Sequence, residues 1–151
     1  MKLRPLLTMH ATLKKAVPVG QGPNGNRMIA DITGGTFKGE KLKGDILPSG
    51  ADWVTFDADG VGHLDVRATF RTDDGANIYV QYYGVVVFNQ KTDDSLAGKK
   101  NSEFGDAYFV TQPRFETGDE RYKWLNRTVA VAEGRILHKA VEYRMFEVIG
   151  S

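Results

Sequence analysis

Apolar and polar residues alternate along most of this chain with a period of two, the signature of strands with one covered face. The clearest stretch is 63–71, where Leu64, Val66, Ala68 and Phe70 share one face and His63, Asp65, Arg67, Thr69 and Arg71 the other. Residues 6–14 repeat the pattern, with Leu7, Met9, Ala11 and Leu13 opposed to Thr8, His10, Thr12 and Lys14. Further strands are predicted at 27–33, 52–56, 108–115, 128–132 and 135–149, the last broken near Lys139. Residues 76–88 are so uniformly apolar or aromatic that cover on both faces is expected.

Turn chemistry separates these runs. Asp59-Gly60 and Asp74-Gly75 are dipeptides that tight hairpins favour, because the turn requires positive φ. A glycine- and proline-rich loop is expected after the first strand, and Gly34-Gly35 should punctuate the chain before Phe37. Pro48-Ser49-Gly50 reads as a turn into Asp52. Residues 89–106 are polar and charged and read as a long loop at one barrel mouth, poorly ordered without ligand. Only one helix is predicted, a short one near 119–126, with Asp119 as its cap. The fold expected is all-β: a single domain over 1–151, closed into a small antiparallel barrel.

Composition narrows the chemistry. A chain of 151 residues suits one domain with a sizeable core. With no cysteine, it has no disulfide, thiolate nucleophile or sulfur-ligated metal. Twenty Lys+Arg against nineteen Asp+Glu give no overall field to attract nucleic acid or an anionic membrane, and neither is expected as a partner. The N-terminal apolar run is interrupted by Thr8, His10 and Thr12, so no secretory signal is read and the expected location is cytoplasmic.

No cofactor is expected. Gly20-Gln21-Gly22-Pro23-Asn24-Gly25 matches G-x-G-x-x-G in letters, but Pro23 interrupts it and a strand, not a helix, follows. His10, His63 and His138 lack the close spacing of metal ligands, and Asp57, Asp59 and Gly60 lack the remaining oxygens of a calcium loop. Asn126-Arg127-Thr128 is a glycosylation sequon without the secretory context that would give it meaning.

The chemistry-bearing candidates are carboxylates and a guanidinium. Asp65 and Arg67 project from one strand face, either as an exposed ion pair or into the barrel lumen. In the lumen Arg67 would clamp an oxyanion while Asp65 orients it or moves a proton. Asp52 beside Trp53, and Glu116 beside Phe115, are carboxyls whose proton affinity an apolar pocket would raise.

Gly34-Gly35-Thr36-Phe37-Lys38-Gly39, Gly50-Ala51-Asp52-Trp53, Leu64-Asp65-Val66-Arg67, Thr72-Asp73-Asp74-Gly75, Phe115-Glu116-Thr117 and Tyr122-Lys123-Trp124-Leu125-Asn126 occur in that order. The ordered set resembles a family of small bacterial and fungal β-barrel proteins catalogued as a domain of unknown function. The resemblance spans residues 20–148, with Ser49 departing from the glycine expected before Gly50. It implies a barrel in which Asp52, Trp53, Asp65, Arg67, Glu116 and Trp124 form one constellation. A broader likeness to allene-oxide-cyclase-like barrels implies a lumen that binds small apolar molecules.

Three functions are weighed. The first is a cofactor-independent isomerase, cyclase or lyase, with Asp65, Arg67 and Glu116 as its catalytic groups. The second is a non-catalytic carrier of a small aromatic or apolar ligand, held by Asp52, Trp53, Tyr82, Tyr108 and Trp124. The third is a structural module whose charged face meets a sister subunit in a homodimer. The charged face of 63–71 is expected in the lumen, so that its apolar face must be covered from outside.

Overall fold

The computed structural model describes residues 1–151. It contains nine antiparallel strands: β1 (Lys2–Leu13), β2 (Val17–Gly22), β3 (Gly25–Lys38), β4 (Lys43–Phe56), β5 (Gly62–Thr72), β6 (Asn77–Val86), β7 (Phe109–Glu116), β8 (Ala130–Leu137) and β9 (Ala140–Ile149). Between β6 and β7 lies helix α1 (Gln90–Leu96), and between β7 and β8 a 3-10 helix (Glu120–Arg127). The sheet runs β1-β9-β8-β7-β6-β5-β4-β3, and β3 pairs back onto β1 to close an eight-stranded barrel. β2 hangs on β3 outside the ring.

Closure depends on a close approach. Gly35 of β3 lies opposite Ala11 of β1, with φ of 144°. A Cβ there would collide with the His10 carbonyl oxygen, so glycine lets the first and third strands meet.

The alternation read from the sequence sets the barrel's inside. Leu64, Val66, Ala68 and Phe70 of β5 are buried, as are Leu7, Met9 and Ala11 of β1. Strand β6 differs from expectation. Ile78, Val80 and Tyr82 point inward, but Tyr79 and Tyr83 are exposed, so this run is covered on one face only. Its aromatic content hid an ordinary alternation.

Three segments read as irregular are regular. The loop after the first strand is the β2–β3 hairpin, turning at Pro23-Asn24, which also accounts for the accidental glycine motif. Pro48-Ser49 is a bulge inside β4, marked by a register shift between Ile46 and Gly50. Residues 89–106 contain α1, capped by Asn89 with a reciprocal bond from Thr92. The 3-10 helix lies where the one predicted helix was placed, with the Asp119 carboxylate accepting from Arg121 N–H.

The two ends of the barrel differ. At one end the 3-10 helix acts as a plug: Leu125 is fully buried, and the Tyr122 hydroxyl donates to Asp74 Oδ2 at 2.8 Å. Just inside, Phe37 and Phe70 stack at 4.6 Å. The other end, bounded by the β4–β5 turn, the β8–β9 turn and the α1 segment, is not filled.

Candidate functional site

The unfilled end is a cavity of about 520 Å³ lined by 21 residues, 16 of them hydrophobic. Its walls are inward-facing strand residues, among them Met28, Val54, Leu64, Phe109 and Val141, with Phe56 and Phe88 5.6 Å apart. A space of this size with few polar groups suits a small, largely apolar molecule.

The one acidic residue in the lining is Asp52. It lies on the inward face of β4, two residues before Val54 and four before Phe56, and so toward the inner end of the cavity. β4 pairs with β5 at Asp52↔Val66 and again at Thr55↔His63, and the ladder lapses between them at Trp53 and Val54. Side chains satisfy the freed backbone groups. The Asp65 N–H donates to Asp52 Oδ1 at 3.2 Å, and Arg27 Nη1 donates to the Trp53 carbonyl at 2.6 Å. Burial pushes the Asp52 carboxyl up from 3.8 to about 6; the Asp65 N–H opposes the rise and the Asp65 carboxylate adds to it. Asp52 can therefore both take and give a proton near neutral pH.

Two phenols adjoin this carboxyl. Tyr143 of β9 lines the cavity and meets the buried Tyr82 of β6 edge to face at 5.2 Å. Phe109 packs on the other side of Tyr143 at 5.3 Å. Burial raises both phenols above their ordinary range, with the Asp52 charge adding to the effect, so both remain protonated donors.

The rim is built from the end of β1 and the β8–β9 turn. Lys14, Lys15, His138 and Lys139 line it, joined by the Leu13 N–H donating to the Lys139 carbonyl at 2.9 Å. The α1 segment forms the remaining wall through Leu96. It is fastened to β8 by two buried serines, since Ser95 Oγ and Ser102 Oγ both donate to the Ile136 carbonyl. Ile136 N–H donates in turn to Ser102 Oγ at 3.0 Å. This docking replaces the ladder that β7 and β8, paired only at Val110↔Glu133 and Thr111↔Ala132, do not extend.

The residues singled out in the sequence divide sharply. Asp52 lines the cavity and Tyr82 stands directly behind its wall. The expectation that the charged face of 63–71 lines the lumen is overturned, because the apolar face of β5 fills the barrel. Arg67 is exposed on the outer face, its guanidinium 5.6 Å from the Trp53 ring, so neither residue reaches the cavity. Asp65 is half-buried on that outer face; its backbone N–H bonds to Asp52, and its carboxylate acts on the site only by its charge. Glu116 is exposed on the outside of β7, opposite Tyr79. Tyr108 is 61% exposed, and Trp124 lies at the plugged end, beneath the Lys41 ammonium. Of the implied constellation, Asp52, Trp53, Asp65 and Arg67 are neighbours across β4 and β5 but on two faces of the sheet, while Glu116 and Trp124 lie elsewhere on the barrel. His10, His63 and His138 are likewise apart, on Glu142, Asp57 and the Leu96 carbonyl respectively.

Sequence reasoning missed Tyr143 and Phe109; it placed the break near Lys139, where β8 turns into β9, but not that turn's part in the rim. The alternation Val141, Tyr143, Met145 was available and would have put the phenol inside.

Fold and site together define a small closed barrel with an apolar cavity and one buried carboxyl. The chain belongs to the family described as "Protein of unknown function (DUF3237)", whose model matches residues 1–148. A Rhodopseudomonas palustris relative called a UPF0311 protein is 34% identical over 120 residues, covering 80% of this chain and 78% of the relative. The crystal structure of an R. palustris protein of unknown function has a TM-score of 0.90 at 30% identity, covering 98% of this chain and 97% of that one. A β-barrel-like protein from Acinetobacter baumannii gives 0.82 at 38%, covering 97% and 94%. At 23% identity, a Penicillium herquei protein described as an enzyme shares the fold, with a TM-score of 0.72 and coverage of 98% and 94%.

Proposed function

We propose that this protein is a cofactor-independent enzyme of the isomerase, cyclase or lyase type, acting on a small apolar molecule held in the barrel mouth. The observation that carries the reading is Asp52, a carboxyl raised to about 6 within a cavity lined mainly by hydrophobic residues. A carrier needs the apolar walls but gains nothing from a carboxyl whose burial disfavours its charge.

Asp52 takes a proton from a carbon beside a substrate carbonyl, and the electron pair moves onto the carbonyl oxygen. Tyr143, kept protonated, donates a hydrogen bond to that oxygen as charge develops. Asp52 then returns the proton to another atom of the same molecule, so the conversion balances without an oxidant or co-reactant. The expulsion of water by the apolar walls strengthens both interactions.

Deuterium exchange tests the reading. A naphthyl-substituted 1,3-diketone incubated with the protein in D2O should lose its α-proton NMR signal faster than in buffer, and Asp52→Asn should remove the acceleration. A diketone that binds but exchanges no faster with the wild-type protein leaves a carrier.

A further inference from the structure

We infer that the molecule taken by this cavity carries a terminal anion, a carboxylate or phosphate, which the Lys14–Lys15–Lys139 rim holds at the mouth while its apolar body reaches inward to Asp52. The inference rests on the cavity proposed above as the functional site and names the class of molecule that fits it.

Charge distribution is the first support. The chain as a whole is balanced at 20 basic to 19 acidic residues, yet the cavity lining holds three lysines and a histidine against the single carboxyl of Asp52. Two other lysines are ion-paired, Lys91 on Asp106 and Lys123 on Glu120. Lys14, Lys15 and Lys139 form no ion pair, although Asp31 shares a neighbouring groove with Lys14. Three unneutralised ammonium groups around one opening focus a positive potential there.

The backbone is the second. Lys139 is the one non-glycine residue with positive φ, at 56°, in a two-residue hairpin turn where glycine or asparagine is the favoured choice. A lysine in the left-handed region is strained relative to glycine. The Leu13–Lys139 hydrogen bond then sets this lysine beside Lys14 and Lys15. Apolar length is the third. Tyr143 lies four positions beyond Lys139 and Phe56 four beyond Asp52, about 13 Å in each case at a rise of about 3.3 Å per residue. A bicyclic aromatic on a short acidic arm spans that depth.

The probes are 2-naphthylacetate, 2-naphthyl phosphate, 2-naphthaleneethanol and 2-naphthylethylammonium, with binding measured by calorimetry on the whole protein. The anions should bind about tenfold tighter than the alcohol, since each exposed ammonium adds only a modest attraction. The ammonium should bind weakest, and the tighter anion identifies the head group. In Lys14→Gln/Lys15→Gln/Lys139→Gly the gap should vanish while the alcohol binds as before, which also shows the variant folded. Equal binding of anion and alcohol to the wild type, or a gap that survives the triple substitution, overturns the inference and leaves the cavity as the site. If none of the four binds, the cavity reading falls with it.

Discussion

The Asp52 carboxylate accepts a hydrogen bond from the Asp65 backbone N–H at 3.2 Å, within the interval where β4 and β5 cease to pair. The carboxyl thus does structural duty while facing the cavity, and both roles must be separated in any test. Asparagine does so, because its amide oxygen still accepts from the Asp65 N–H while the charge is gone.

Asp52→Asn should therefore stabilise the protein at high pH and not at low pH. The folded carboxyl titrates at about 6 and the unfolded one near 3.8, so ionising Asp52 costs folding free energy. That cost is absent below about pH 4, grows as pH rises through 6, and is complete above it. At about 1.4 kcal/mol for each tenfold change in proton affinity, the ceiling is about 3 kcal/mol, reduced by the opening to solvent. Urea melts of both proteins at pH 4.5 and pH 8 would read it. A difference independent of pH would show that Asp52 is not held at a raised value.

The outer face of β5 gives the opposite expectation. Arg67 is exposed and its main contact is the Trp53 ring at 5.6 Å. An exposed cation–π contact is worth about 0.5–1 kcal/mol, so Arg67→Ala should cost no more than that and leave ligand affinity unchanged. A loss of several kcal/mol by denaturant melting would mean that the guanidinium is buried in solution.

What the sequence made legible, and what it did not, follows from the same strand. Alternation in 63–71 located β5 and its two faces, but alternation is symmetric and does not say which face is inside. The barrel answers by burying the apolar face, as the hydrophobic effect favours when no outer layer covers it. Asp52 was visible as a carboxyl beside an aromatic, yet its importance comes from a gap in pairing that no local pattern encodes. Tyr143 lies some ninety residues from Asp52 in sequence, and only closure of the barrel brings them to one cavity. The Asp-Gly turns and the Asp119 cap, being local, were readable.

Closure itself can be broken at one position. Gly35→Ala places a methyl against the His10 carbonyl at φ 144°, a conformation alanine rarely adopts. Both penalties act at the β1–β3 seam, so a loss of about 3 kcal/mol or more is expected. Circular dichroism should show a markedly lower melting temperature or failure to fold. A near-neutral substitution would mean that the seam is looser than the strand register implies.

The mouth offers the last prediction. The Ile136 carbonyl accepts from Ser95 Oγ and Ser102 Oγ, and the Ile136 N–H donates to Ser102 Oγ, so two serines hold the α1 segment where a strand would otherwise continue the ladder. Both hydroxyls are buried, at 0% and 2% exposure, and water cannot easily replace them. Ser102→Ala removes one of the carbonyl's three donors, leaving the Ser102 N–H and Ser95 Oγ, and strands the Ile136 N–H, at a cost of about 1–3 kcal/mol. Ser95→Ala removes one donor and strands no backbone N–H, so its cost should be smaller, about 0.5–1.5 kcal/mol. The losses should fall on the segment rather than the barrel, because α1 contributes few contacts to the strands beyond β8. Hydrogen exchange should therefore quicken at Ala97 and Ser102 in Ser102→Ala while Val80 and Tyr82 of β6 keep their protection. Leu96 forms part of the cavity wall, so ligand dissociation should quicken in parallel. Uniform acceleration across β6 would mean that the serines support the whole barrel. Unchanged exchange at Ala97 would mean that the segment is held by other contacts.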